Sequence, residues 1–208
     1  MRIPFLAEEL IRKYVHEVLK EYEKARGKPV TFPLDAVDVF EKLFDIVTVF
    51  DTKGVINNQI GNGIIGCLFP DGHASPWGQD KLIVVNATRS PHFDPTGYNE
   101  NFTIAHEGMG HYIFHYLKGI TGEKQDRPAY CRTPYYSPLE YQANFAAAEL
   151  TQPLEQVIWL LDGKRPPETI MLDLYEQNYR QYFDASRSMM EVRLKTLGYQ
   201  IRRASYST

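Results

Sequence analysis

The sequence predicts an α+β fold: a small, mostly antiparallel sheet packed with helices and followed by a helical C-terminal region. Three observations predict it. Apolar residues near the N-terminus recur every third or fourth position, the spacing of one buried helical face. Between residues 46 and 86, three short runs rich in Val, Ile and Phe are separated by Gly, Asn, Asp and Pro clusters of the kind that make turns. From residue 137 onward the patterns are helical.

Leu6, Leu10, Tyr14, Val18 and Tyr22, widened by Ile11, Val15 and Leu19, give the first helix its stripe, and Gly27 and Pro29 end it. Thr31-Phe32-Pro33 can start a second helix, with Pro33 early where a missing N–H costs nothing, and Val37, Phe40, Leu43 and Phe44 form its buried face. Residues 46–50, 63–69 and 81–86 read as strands, and the 70–79 stretch with Asp71-Gly72 reads as a hairpin loop between the last two. Residues 101–118 return to helical periodicity, stopped by Gly119 and Gly122. The irregular stretch that follows, with Pro128, Pro134 and several tyrosines, is expected either as a binding loop or as a surface excursion packed on the body. Ser137-Pro138-Leu139-Glu140 opens a helix reaching about Thr151, Pro153 breaks it, and helices over 154–161, 167–183 and 185–197 complete the chain. This places one domain over residues 1–152 and a helical tail over 153–208.

With 43% apolar and 24% charged residues among 208, the chain reads as a soluble globular protein. A net charge of -3 argues against a function built on bulk nucleic-acid binding, which runs on clustered Lys and Arg. Cys67 and Cys131 lie far apart and outside any metal-ligand spacing, so both read as free thiols of a reducing compartment. No signal-peptide core and no membrane-spanning apolar run is visible, and the expected location is the cytoplasm.

The chemistry concentrates in His106-Glu107-Gly108-Met109-Gly110-His111. Two imidazoles that can bind a metal, with an adjacent carboxylate free to take a proton from the attacking water, are the parts of a zinc hydrolase. The spacing is one residue longer than the HExxH pair. At about 100° per residue, i+4 falls roughly 40° from the first side chain but i+5 falls roughly 140° away, so a regular α-helix cannot bring both rings to one ion. A π-type bulge absorbs the extra residue, and Gly108 and Gly110 ease the distortion. His115 offers a competing frame, since Glu107, His111 and His115 are spaced four apart. Glu140 has two readings as well: a metal ligand, or the acid of a capping box with Ser137.

Residues 102–115, FTIAHEGMGHYIFH, resemble the zinc helix of the ImmA/IrrE family of metallopeptidases. Residues 140–153, EYQANFAAAELTQP, resemble that family's second signature, an ExxAN helix ending in Pro. The likeness extends to the strand ending at Asn86 and to a closing helix over 183–199. It implies a zincin-like fold, Zn2+ held by His106, His111 and Glu140, Glu107 as general base, and Asn144 orienting the ligands, with Tyr112 and His115 as packing or supporting residues. The chain departs from the family in the extra residue between the histidines; dipeptidyl-peptidase III, with its HExxGH zinc helix, carries the same spacing.

By that resemblance the expected function is zinc-dependent endoproteolysis of a helix-turn-helix transcriptional repressor of a phage, mobile element or stress regulon. A second hypothesis keeps the fold without the chemistry, as a regulatory protein that docks on a transcription factor. A third, DNA binding by the tail, rests on Arg187, Arg193, Lys195, Arg202 and Arg203, which more often make a solvated face, so direct nucleic-acid binding is not expected.

Overall fold

Helix α1 spans Glu8–Arg26 in the computed structural model of the chain, which describes residues 7–73, 75–88, 98–117, 129–132 and 137–203. The buried face is narrower than the expected stripe: Ile11, Val15 and Tyr22 are buried, while Leu10 is exposed and Leu6 lies outside the described residues. Glu8 and Glu9 in the first turn and Lys24 and Arg26 in the last complement the helix dipole, and Gly27 closes it at φ 65°. Helix α2 covers Ala36–Phe44. It starts later than the expected Thr31-Phe32-Pro33, because the Asp35 carboxylate supplies the N-cap, accepting the Asp38 N–H at 3.2 Å.

Four strands form one mixed sheet: β1 (Val47–Phe50), β2 (Ile64–Phe69), β3 (Leu82–Val85) and β4 (Ala129–Arg132), in the order β1-β3-β2-β4. β1 runs parallel to β3 with Val47 opposite Leu82, and the pairings of β2 with β3 and with β4 are antiparallel. The loop after β2 does connect an antiparallel pair, as its Asp71-Gly72 predicts. β4 has no counterpart in the sequence reading; it sits in the stretch read as irregular, and Gly119, Gly122, Pro128 and Pro134 lie outside the described residues. β3 is interior and all four of its residues are buried, which is why Leu82-Ile83-Val84-Val85 is a continuous apolar run rather than an alternating one.

Alternation along β2 and β3 gives the sheet two covered faces. Cys67, Phe69, Leu82 and Val84 pack with Ile56, part of a short π-helical turn over Ile56–Ile60, and with Ile64. Cys67 is a buried free thiol, and burial pushes its pKa up. Gly66 faces the other way, toward helix α3 (Tyr98–Ala105) and its continuation. That continuation, His106–Leu117, is π-helical throughout its 12 residues and buried from His106 to His115. The expected single bulge is therefore a whole wide segment. Helix α4 (Pro138–Thr151) follows, capped by Ser137, whose hydroxyl accepts the Glu140 N–H at 3.1 Å.

The chain divides into two compact units, residues 1–30 with 35–150 and residues 31–34 with 151–208. The second unit contains α5 (Leu154–Leu160), β5 (Thr169–Met171), α6 (Leu172–Phe183), α7 (Arg187–Thr196) and β6 (Gln200–Arg202). Its core is Val157, Leu161, Ile170, Tyr175, Tyr179, Phe183, Leu194 and neighbours. The helix expected over 167–183 begins only at Leu172, because residues 169–171 pair in parallel with β6, a partner some thirty residues away that periodicity cannot reveal. Among the described residues no helix is long and apolar enough to cross a membrane.

The π segment packs on α2 through a residue with no side chain. A Cβ added to Gly108 would lie 2.5 Å from Phe40 Cε1, and Phe40 is fully buried. Gly108→Ala is expected to destabilise by about 1–3 kcal/mol, as overpacking does, despite alanine's better helix propensity. Urea denaturation measures it, and Gly108→Ala combined with Phe40→Leu should recover part of the loss.

Candidate metal centre

Hydrogen bonding from i to i+5 stacks side chains five apart, so the wide winding places His106 and His111 on one face. Their Nε2 atoms lie 3.1 Å apart. Glu140, from the first turn of α4, reaches both: Oε2 is 3.2 Å from His106 Nε2 and Oε1 is 3.5 Å from His111 Nε2. The metal-capable atoms of these three residues all fall within 4.8 Å of one another, and among the described residues no other such group occurs. Both histidines are buried, at 2% and 3% exposure, so water does not satisfy these nitrogens.

The far nitrogens of the two rings are engaged from behind. His106 Nδ1 lies 3.1 Å from Asn144 Oδ1, and His111 Nδ1 lies 3.0 Å from His115 Nδ1. An amide oxygen only accepts, so His106 carries its proton on Nδ1 and presents a lone pair from Nε2. Glu140, when ionised, also only accepts. Two imidazole lone pairs and a carboxylate converging on one point form a donor set that suits a divalent cation, with the ring orientation fixed by hydrogen bonds on the opposite edge.

The electrostatics favour that protonation pattern. Burial pushes the pKa of His111 down, aided by the neighbouring His106. Burial likewise pushes His115 down to about 3. Neutral rings and an ionised acid are the forms that ligate a metal.

Glu107 is fully buried and packs over Gly66 of β2, where an added Cβ would come within 3.1 Å of its Oε1 and 2.5 Å of Thr103 Cγ2. Tyr112 takes the packing role: its hydroxyl reaches Asp71 Oδ2 at 3.3 Å, and its ring meets Phe44 edge to face, away from the imidazole pair. The competing frame of Glu107, His111 and His115 is not assembled, because His115 meets His111 behind the ring rather than beside its Nε2. Ser137 does cap α4, but through the Glu140 N–H, which leaves the Glu140 side chain to the imidazoles. Gly110 and Ala143 were not visible as site residues. An added Cβ on Gly110 would lie 2.5 Å from Ala143 Cα, so the bare glycine is what lets α4 approach the π segment and bring Glu140 into reach. Only the pairing of small residues across the two motifs hints at it.

Among known families, the model described as peptidase M78, IrrE N-terminal-like domain, matches residues 71–195. That stretch holds His106, Glu107, His111, Glu140 and Asn144. No curated protein matches the chain.

Two outcomes follow from this geometry. Gly110→Ala should separate α4 from the π segment and weaken binding of a divalent probe ion at least about tenfold, read by chelator competition, because metal sites tolerate little displacement of one ligand. Metal-free protein should also lose stability in acid. His115 takes its proton near pH 3 when folded but near 6.5 when unfolded, so across that window the unfolded chain binds more protons. Stability is then complete above about pH 6.5 and falls as the pH drops toward 3. Urea midpoints at pH 7 and pH 5 should show the loss, and it should shrink in His115→Phe.

Proposed function

The chain belongs to the IrrE N-terminal-like family of M78 metallopeptidases, and from that premise we propose that it is a zinc-dependent endopeptidase that cuts a helix-turn-helix transcriptional repressor in the cytoplasm. The observation that carries the zinc reading is the convergence of His106 Nε2, His111 Nε2 and the Glu140 carboxylate, with no protein donor required between them. Zinc, when bound, would supply a Lewis acid that polarises the scissile carbonyl and makes a water nucleophilic near neutral pH.

The chain's own groups do the rest. Glu107 takes a proton from the attacking water and delivers it to the amine nitrogen as the C–N bond breaks. Its burial against β2 fixes the carboxylate on the strand side of the π segment. Asn144 holds His106 in the orientation that keeps Nε2 toward the site.

A protein substrate is favoured over DNA by the state of four of the tail's five cations. Arg187 pairs with Asp173 and Glu176, Lys195 and Arg203 pair with Glu191, and Arg193 is buried with its guanidinium on the Gln152 carbonyl. Charges so engaged make a poor phosphate-binding face. The repressor itself is inferred from the family resemblance. The rival reading, a docking protein without chemistry, drew its support from the extra residue between the histidines, and the π winding accommodates that residue.

Zinc-loaded protein, co-expressed with the helix-turn-helix protein encoded beside it, should cut that protein, and Glu107→Gln should bind zinc equally well while cutting at least about a hundredfold more slowly. His106→Ala and Glu140→Ala should lose both metal and cutting. A wild-type protein that binds zinc and captures the repressor intact would replace the peptidase with the docking protein, and cutting by Glu107→Gln would remove Glu107 as the base.

A further inference from the structure

His115 is a fully buried imidazole that the chemistry above does not use. Its Nδ1 lies 3.0 Å from His111 Nδ1, and the two ring centroids are 5.0 Å apart at an interplanar angle of 59°. A contact between two imidazole nitrogens needs one proton. If His115 donated it, His111 would keep its own proton on Nε2, and an N–H would point at Glu140 and His106, where the ion has to sit. If His111 donates, its Nε2 lone pair faces the ion and His115 Nδ1 accepts.

We infer that His115 is a positioning residue: its Nδ1 accepts the His111 Nδ1–H and thereby holds the second imidazole ligand with its lone pair toward the metal, as the Asn144 oxygen does for the first. The inference rests on the metal-binding reading of His106, His111 and Glu140. Two features of the site support it. The π winding that aligns His106 with His111 also brings His115, four residues on, behind the same ring. The charge balance also fits: a divalent cation is already offset by the carboxylates of Glu140 and Glu107, so neutral acceptors behind both rings leave the buried cluster uncharged. A carboxylate in either position would leave an uncompensated negative charge there.

The choice of partner has a defined consequence. Removing an acceptor from behind a ligating imidazole typically weakens metal binding by about 10- to 100-fold. His115→Phe fills the volume and offers no acceptor, whereas His115→Asn places an amide oxygen where Nδ1 sat.

The experiment is zinc affinity by chelator competition on wild-type, His115→Phe and His115→Asn protein, each checked for folding by circular dichroism, together with 15N NMR of the zinc-loaded wild type. The expected result is a loss of about 10- to 100-fold in His115→Phe, recovery to within a few-fold in His115→Asn, and a 15N–15N coupling between the His111 and His115 rings. Wild-type affinity in folded His115→Phe, or equal losses in both variants, would overturn the inference while leaving the peptidase reading intact. Should His115→Phe fail to fold, absence of the coupling in the wild type overturns it. A wild type that binds zinc with the coupling but cuts nothing would sink the peptidase reading and keep this inference. A wild type that binds no zinc would end both.

Discussion

The i→i+5 winding from His106 to Leu117 is the constraint on which the rest of the first unit depends. Ordinary α-helical geometry would send His106 and His111 to nearly opposite faces, one toward the sheet and one toward solvent or α4. The wider turn aligns them, and the same geometry sets His115 behind His111 and leaves Glu107 to face β2. π-helical winding is rare and rarely long, so a 12-residue run must be held by its surroundings. Here it is sandwiched between α2, β2 and α4.

Each of those contacts is made where a side chain is missing. Gly108 meets the Phe40 ring, Gly110 meets the Ala143 backbone, and Gly66 of β2 makes room for Thr103 and Glu107. The two motif glycines, expected to loosen the backbone for a bulge, thus serve mainly as close-approach points. That difference matters for function, because the approach at Gly110 and Ala143 sets where α4 delivers Glu140. Close packing turns a local backbone irregularity into a fixed distance between ligands on separate helices.

Burial then decides the chemistry of the cluster. Rings that are nearly inaccessible to water cannot hold a charge cheaply, so burial favours neutral His111 and His115. Neutral partners behind both rings keep the nitrogen lone pairs directed inward. The M78 family relationship and this geometry point to the same class of chemistry, one through sequence likeness and the other through the atoms that meet.

The sequence by itself determined the elements whose signals are local. The stripe of α1, the strand runs around 46–50, 63–69 and 81–86, and the hairpin between the last two were legible because one face of each had to be apolar. The motif at 106–111 and the helix at 140–151 were legible because ligand types and spacing are written consecutively, and the need for a wide turn followed from one extra residue. What only the tertiary structure decided is everything set by partners distant in sequence. β4 carries no run of Val, Ile or Phe, and β5 and β6 are three residues each, so none of them announces itself without the strand it bonds to. The start of α2 shifted to Asp35 because an available side-chain acceptor outranked the proline. The extent of the π winding, the seating of α4 on Gly110 and the contact of His111 with His115 all depend on packing between segments dozens of residues apart, or on a helical pitch that periodicity read at 100° per residue assumes in advance.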